Sequence, residues 1–185
     1  MQTREAQLEV RTIYLGGFLG QLVSGLVWLA AAAAGTWLSA RQAMTVLFVG
    51  GMFIFPLVQV LLKLMGRRAS LSAENPLRFL AMQIAFTVPL VMPVGFAAAT
   101  HRQEWFFPAM MIIVGAHYLP FTFLYGMRMF AVLAAIMTGG GMFLGLTSTS
   151  FTLGAWLTGI VLLIFSAIGL ALTSSDARVS LPRSA

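Results

Sequence analysis

Eight side chains able to do polar chemistry fall inside long apolar stretches of this sequence: Gln21, Gln59, Gln83, Thr87, His117, Tyr118, Thr122 and Tyr125. Polar groups set among apolar ones need partners, and where water is excluded they mark functional positions by default. His117 is the ionisable group deepest in such a stretch, its imidazole type titrates near neutrality, and it shares a helical stripe with Phe121 and Tyr125. One reading makes it a ligand-contacting or proton-sensing residue. The other gives it a hydrogen bond to a glutamine on a neighbouring helix. Gln21 falls on a stripe with Gly17 and Gly25, Gln59 with Gly51 and Phe55, and Gln83 with Thr87. Each amide has N–H donors and a carbonyl acceptor to satisfy. If the three converge on His117, with Tyr118 and Tyr125 beside it, they line a polar pocket walled by Phe, Met and Trp, the usual makeup of a small-molecule site. If each pairs separately, they hold helices together.

The chemistry left out is equally informative. No Asp, Glu, Lys or Arg lies in the middle of these stretches, and Lys63 is near enough to an end to extend its ammonium to water. Carboxylate proton relays, sodium sites built on Asp or Glu, and paired glycosidase carboxylates all lose their key residue. Ser24-Gly25 lacks the glycine two residues earlier that a membrane serine protease motif needs, and His101 falls in a connection where it is no base for Ser24. No catalytic residue is assigned. With no Cys, two His and five acids, zinc and iron–sulfur centres have no ligand set. Haem on His117 would need a Met as second ligand, so no metal and no cofactor are expected.

The elements that position these residues follow from composition. Of 185 residues, 59% are hydrophobic and 9% charged, and the mean hydropathy is +0.92. A water-soluble domain carries about a quarter charged residues, so a soluble fold is excluded. A crossing of the hydrocarbon core takes about 20 apolar residues in helix. Segments 13–35, 44–65, 78–100, 106–126, 127–147 and 153–173 satisfy that length, and none alternates with the period of two of a membrane strand. The expectation is an all-α polytopic bundle of six transmembrane helices forming a single domain over 1–185. Its short connections set successive helices antiparallel.

Lys and Arg give the orientation. Arg4, Arg11, Lys63, Arg67, Arg68, Arg78, Arg128, Arg178 and Arg183 collect at one end, and Arg41 and Arg102 at the other. Both termini are therefore expected in the cytoplasm. The net charge of +6 is a by-product of this sorting, so anionic lipid headgroups are the expected partner of the basic face and nucleic acid is not. Arg4 and Arg11 ahead of an apolar run and Ala30–Ala34 also suggest a signal peptide. However, the run is longer than a signal core, and Glu5 and Glu9 sit in what should be a basic segment. The first helix is read as an anchor.

Small residues and prolines describe how the helices meet. Gly16, Gly20 and Ser24 form a small-xxx-small stripe, and Gly139–Gly140–Gly141 with Gly145 mark another helix. Three consecutive glycines in mid-helix imply either a neighbouring backbone in close contact or a helix that opens. Pro56, Pro89, Pro93 and Pro120 each remove a backbone hydrogen bond within a crossing and are read as kinks, the pattern of a cavity-lined transporter or pore. The segment Gly51–Pro56 ahead of Gly66-Arg67 resembles Gly115–Pro120 ahead of Gly126-Met127-Arg128, a faint internal echo. In the loop 66–77, Ser72-Ala73-Glu74-Asn75-Pro76 reads as a helix-entry turn, with Arg67, Arg68 and Arg78 placed to pair with Glu74 or a phosphate.

Gly50-Gly51-Met52-Phe53-Ile54-Phe55-Pro56 through Leu64-Met65-Gly66-Arg67, Glu74-Asn75-Pro76-Leu77, Trp105-Phe106-Phe107-Pro108 and Gly115-Ala116-His117-Tyr118-Leu119-Pro120 together resemble an uncharacterised family of small bacterial multi-pass membrane proteins. The likeness spans Ile13 to Arg128. It implies a bacterial inner-membrane location and says nothing of chemistry. The favoured function is binding or passage of a small neutral or weakly polar molecule through a mid-membrane pocket. The alternative is a non-catalytic sensor or partner subunit, with the Gly16–Gly20–Ser24 stripe as its contact to a second copy or another membrane protein. A membrane-embedded enzyme comes third.

Overall fold

The computed structural model describes residues 1–179, and Arg183, counted above in the orientation argument, lies outside them. The elements are α1 (Thr3–Ile13), α2 (Phe18–Trp37), α3 (Ala40–Leu64), α4 (Leu77–His101), α5 (Phe106–Tyr118), α6 (Phe121–Leu124), α7 (Met129–Thr147) and α8 (Leu153–Val179). No strand occurs among the described residues. Among the described residues six helical segments are long and apolar enough to cross a membrane: Leu15–Trp37, Ala40–Leu64, Leu77–His101, Gln103–Leu124, Met129–Thr147 and Leu153–Thr173.

The N-terminal region differs from the sequence expectation of one helix from Ile13. A separate amphipathic helix, α1, buries Ala6, Val10 and Ile13, and the chain then turns through Leu15–Gly17 before α2 begins. Leu15, Gly16 and Gly17 all have positive φ (51°, 64° and 81°). Adjacent glycines make that left-handed run affordable, because they lack the Cβ that clashes there. Gly16 is therefore a turn residue and not a rung of a helix stripe. The segment read as 106–126 is likewise interrupted. Pro120 cannot donate to the α5 ladder, and α5 closes at Tyr118 before the short α6. By contrast α3 runs unbroken through Pro56, and α4 through Pro89 and Pro93.

The helices cross where glycine lets backbones approach. A Cβ on Gly25 of α2 would lie 3.2 Å from the Gly159 carbonyl of α8, and one on Gly159 would lie 3.2 Å from the Gly25 carbonyl. Gly115 of α5 abuts Met137 and Thr138 of α7. Gly141 abuts Ile112 and the Pro108 carbonyl of α5, so a neighbouring backbone accounts for part of the triple glycine, while Gly139 faces open space. Gly20 faces Val58 of α3 at 4.0 Å, Gly145 faces Pro108 at 3.7 Å, and Ser24 is buried. The Gly20–Ser24 part of the small-residue stripe is thus used inside the chain. α3 packs along α2, and α4 along α5. α3 and α4 meet through Phe48 and Phe96 (5.9 Å between ring centroids) and through Met92 near Gly51, toward the ends that carry Arg41 and Arg102.

Candidate functional site

Gln21 lies in the first turn of α2, buried against its neighbours. Its side chain is 1% exposed, and neither amide atom has a hydrogen-bond partner among the described residues. Contacts one turn to either side hold it there: Phe18 stacks on Phe130 of α7 at 5.8 Å, and Gly25 seats α8. Ser24, beside Gln21 on α2, is buried and faces the Tyr118 hydroxyl of α5. Tyr118 in turn stacks on Phe130 (6.3 Å, 15°) and meets Phe121 edge-on at 5.4 Å. Tyr125 stacks on Phe130 at 5.3 Å, and its ring leaves no room for a Cβ at Gly17. Phe18, Tyr118, Phe121, Tyr125 and Phe130 thus form one aromatic layer beside the Gln21–Ser24 turn.

His117 borders this layer, 5.0 Å from the Phe121 ring centroid and beside the Ile84 backbone of α4. Its Nδ1 is enclosed without a partner. Gln59 Nε2 on α3 and Thr158 Oγ1 on α8 are in the same condition. Thr158 was not singled out from sequence, although it stands in an apolar stretch as Thr87 and Thr122 do.

The remaining candidates lie elsewhere. Gln83 is exposed on the face of α4 that also carries Met82 and Phe86, and Thr87 on that face donates to the Gln83 carbonyl at 3.2 Å. Thr122 donates to its own Leu119 carbonyl at 2.7 Å. The structure therefore joins Gln21, Ser24, Tyr118 and Tyr125 around one layer with His117 at its border, and leaves Gln83 outside. Pro56, Pro89 and Pro93 are exposed on α3 and α4, away from that layer's centre, whereas Pro120 sits at the turn that carries Phe121 into it. Among the described residues no three of His, Cys, Asp and Glu gather as a metal-holding group.

A second polar constellation, at the basic end, involves residues that sequence spacing did not connect. Glu9 of α1 accepts from the Ser72 N–H (2.7 Å), the Ser72 hydroxyl (3.0 Å) and Asn75 Nδ2 (2.8 Å). Those donors, the Ser72 N–H first and the Asn75 amide next, hold its carboxyl below the ordinary carboxylate value, with Arg68 adding to them. Asn75 is 1% exposed; it also donates to the Ala6 carbonyl at 3.1 Å and accepts from the Leu77 N–H at 2.9 Å. The helix-entry turn is therefore real, with Asn75 just ahead of the Pro76 N-cap accepting from the first N–H of α4. The acid that engages the loop, however, is Glu9 and not Glu74. Arg67 donates to the Thr12 carbonyl (2.8 Å), and Arg78 donates to the Ala73 carbonyl (3.3 Å) and lies over the Phe79 ring. Arg11 donates to the Tyr125 carbonyl at 2.6 Å and the Gly126 carbonyl at 3.2 Å, and Gln7 to that of Phe123. α1 thus ties the α3–α4 loop to the α6–α7 turn. The signal available in the sequence was the Ala6–Val10–Ile13 spacing of an amphipathic helix set among charges.

The chain belongs to a family of unknown function (DUF7010), whose model matches residues 3–172. No curated protein and no solved structure matches it.

Proposed function

Membership of that family carries no activity with it, and from this premise we propose that the chain is a bacterial inner-membrane protein that binds or passes a small neutral or weakly polar molecule at the Gln21 layer. The long apolar helices support the membrane location. The hydrogen bonds that gather α1, the α3–α4 loop and the α6–α7 turn at one end bring Arg11, Arg67, Arg78 and Arg128 there, which favours that end, and the N-terminus with it, on the cytoplasmic side.

The observation that carries the reading is the buried Gln21 amide with both its donor and its acceptor unused. An unsatisfied buried polar group costs about 1–3 kcal/mol, and a guest with a donor and an acceptor of its own removes that cost. Among the described residues the layer's own side chains are uncharged, and Arg11 at its edge is engaged by the Tyr125 and Gly126 carbonyls, so the guest is neutral: an amide, a urea, a polyol or water. The thin packing of α3 and α4 supplies a route inward, since each leans chiefly on one neighbour. The test is thermal unfolding of the protein in lipid nanodiscs with a panel of neutral amides and polyols. The expected result is a ligand-dependent rise in Tm that Gln21→Leu and His117→Ala abolish while both variants remain folded. A panel that moves the wild type and Gln21→Leu equally contradicts it.

The partner-subunit alternative rests on the exposed aromatic residues of α3 and α4, among them Phe53, Phe55, Phe79 and Phe86. Cysteine cross-linking through α3 in native membranes separates it from the first reading, because only a partner subunit gives a discrete adduct there.

A further inference from the structure

Residues of α5 and α7, with Ala98 of α4, line an open groove of ≈ 290 Å³ whose lining includes Pro108, Ala109, Gly141 and Gly145, with Ile112 and Leu146 along it. The small residues keep the backbone low, and Gly145 has only Pro108 Cβ nearby, at 3.7 Å. Trp105 also lines this groove, at the end of the bundle that carries Arg102. Its indole N–H is enclosed and has no acceptor among the described residues. Arg102 holds its guanidinium 5.4 Å from the Trp105 ring centroid, with Glu104 as its ion-pair partner at a loose 4.0 Å. An apolar channel therefore ends at Trp105, which carries an unused N–H donor and, over its ring, an exposed cation.

We propose that this groove is a phospholipid site: an acyl chain lies along Gly145, Gly141 and Ala109, a glycerol-ester carbonyl accepts from Trp105, and the phosphate pairs with Arg102. Three features fix the occupant. The groove opens on the flank of three helices apolar enough to cross a membrane, so hydrocarbon chains are what surrounds it. Tryptophan at a helix end sits at the depth of lipid carbonyls, and its N–H bonds to them. The guanidinium provides charge complementary to a phosphate and recognises it in bidentate fashion. A ligand made only of hydrocarbon would leave the N–H unpaired, and a water-soluble anion would leave the groove empty. This site is independent of the Gln21 layer.

The experiment is native mass spectrometry of the full chain released from detergent micelles, with phosphatidylglycerol as the probe lipid. Wild type retains one lipid per chain. Gly145→Leu fills the groove without a backbone clash and weakens retention roughly fivefold, and Trp105→Phe weakens it about threefold, the scale of single contacts within a membrane. Leu90→Phe, on the outward face of α4, changes nothing. Ala109→Leu repeats the filling test if Gly145→Leu folds poorly. Equal retention by wild type and both filled variants overturns the proposal. So does retention of detergent in place of the lipid, or a dimer in place of the lipid-bound monomer that the filled variants abolish.

Discussion

Two parts of this small bundle are built by different means. In the window of α2 most able to cross a membrane, 61% of residues are buried, and in those of α3 and α4, 17%. Both parts contain glycine and proline, so composition does not separate them. What separates them is where the glycines point. Gly25 and Gly159 bring α2 against α8, and Gly115 and Gly141 bring α5 against α7, each by close contact across the crossing. On α3, Gly50 meets the Val27 side chain of α2 (2.6 Å) and Gly51 the end of the Met92 side chain (3.8 Å), and on α4 Gly95 meets the Met110 side chain (2.5 Å), so these glycines meet side chains where those of the first part also meet backbone. Without hydrophobic contrast between lipid and protein, close backbone approach is the main source of helix association. The first part is thus a fixed frame. α3 and α4 instead lie along the frame, on α2 and α5 respectively, and they meet each other by aromatic contact toward one end while the Glu9–Ser72–Asn75 cluster ties down their connecting loop at the other.

This contrast makes ranked predictions. Gly115→Leu sets a side chain into Thr138 and Met137, whose nearest atoms lie 2.6–2.8 Å from its Cβ. It lowers stability by about 3 kcal/mol, measured as loss of the folded fraction in a graded-denaturant series. Asn75→Ala removes the acceptor for the Leu77 N–H together with the bonds to Glu9 and Ala6. Its cost is about 2 kcal/mol, and proteolysis within loop 66–76 reports it while the α2–α8 frame persists. Glu9 gives the same cluster a pH dependence. Its folded value lies below the ordinary 4.5, so its contribution is complete above about that pH and disappears as pH falls through the lowered folded value. Amide exchange at Ser72 follows that fall in wild type, and Glu9→Gln flattens the profile. Gln21→Leu stabilises the empty protein by about 1 kcal/mol in Tm measurements and removes the guest. The smallest effect belongs to Gln83→Leu and Gly139→Leu, both on open faces; either leaves Tm and ligand response unchanged, and a large shift from either would mean that the exposed surface is an interface.

The long helices were legible because an uninterrupted apolar run needs no neighbour to identify it. The two glycines at 16 and 17 were misread because four-residue spacing carries no information about where a helix starts; that depends on α1 docking beneath Tyr125 and Gly126. Which glutamine faces inward was illegible for a different reason. A water-soluble helix announces its inner face by polarity, whereas here both faces of α4 are equally apolar, so Gln83 and Ile84 are told apart only by α5 packing on one of them. The Glu9 cluster joins residues more than sixty positions apart, and the nearer Glu74 offered a simpler pairing that the loop geometry does not use.

The most direct test of the account is a structure of the protein in a lipid nanodisc, with attention to the space around Gln21. The account predicts non-protein density within hydrogen-bond distance of the Gln21 amide, bounded by Ser24 and the Tyr118 ring, that is lost in Gln21→Leu. A dry interior in which a side chain from α5 or α8 turns to cap both amide atoms would contradict it.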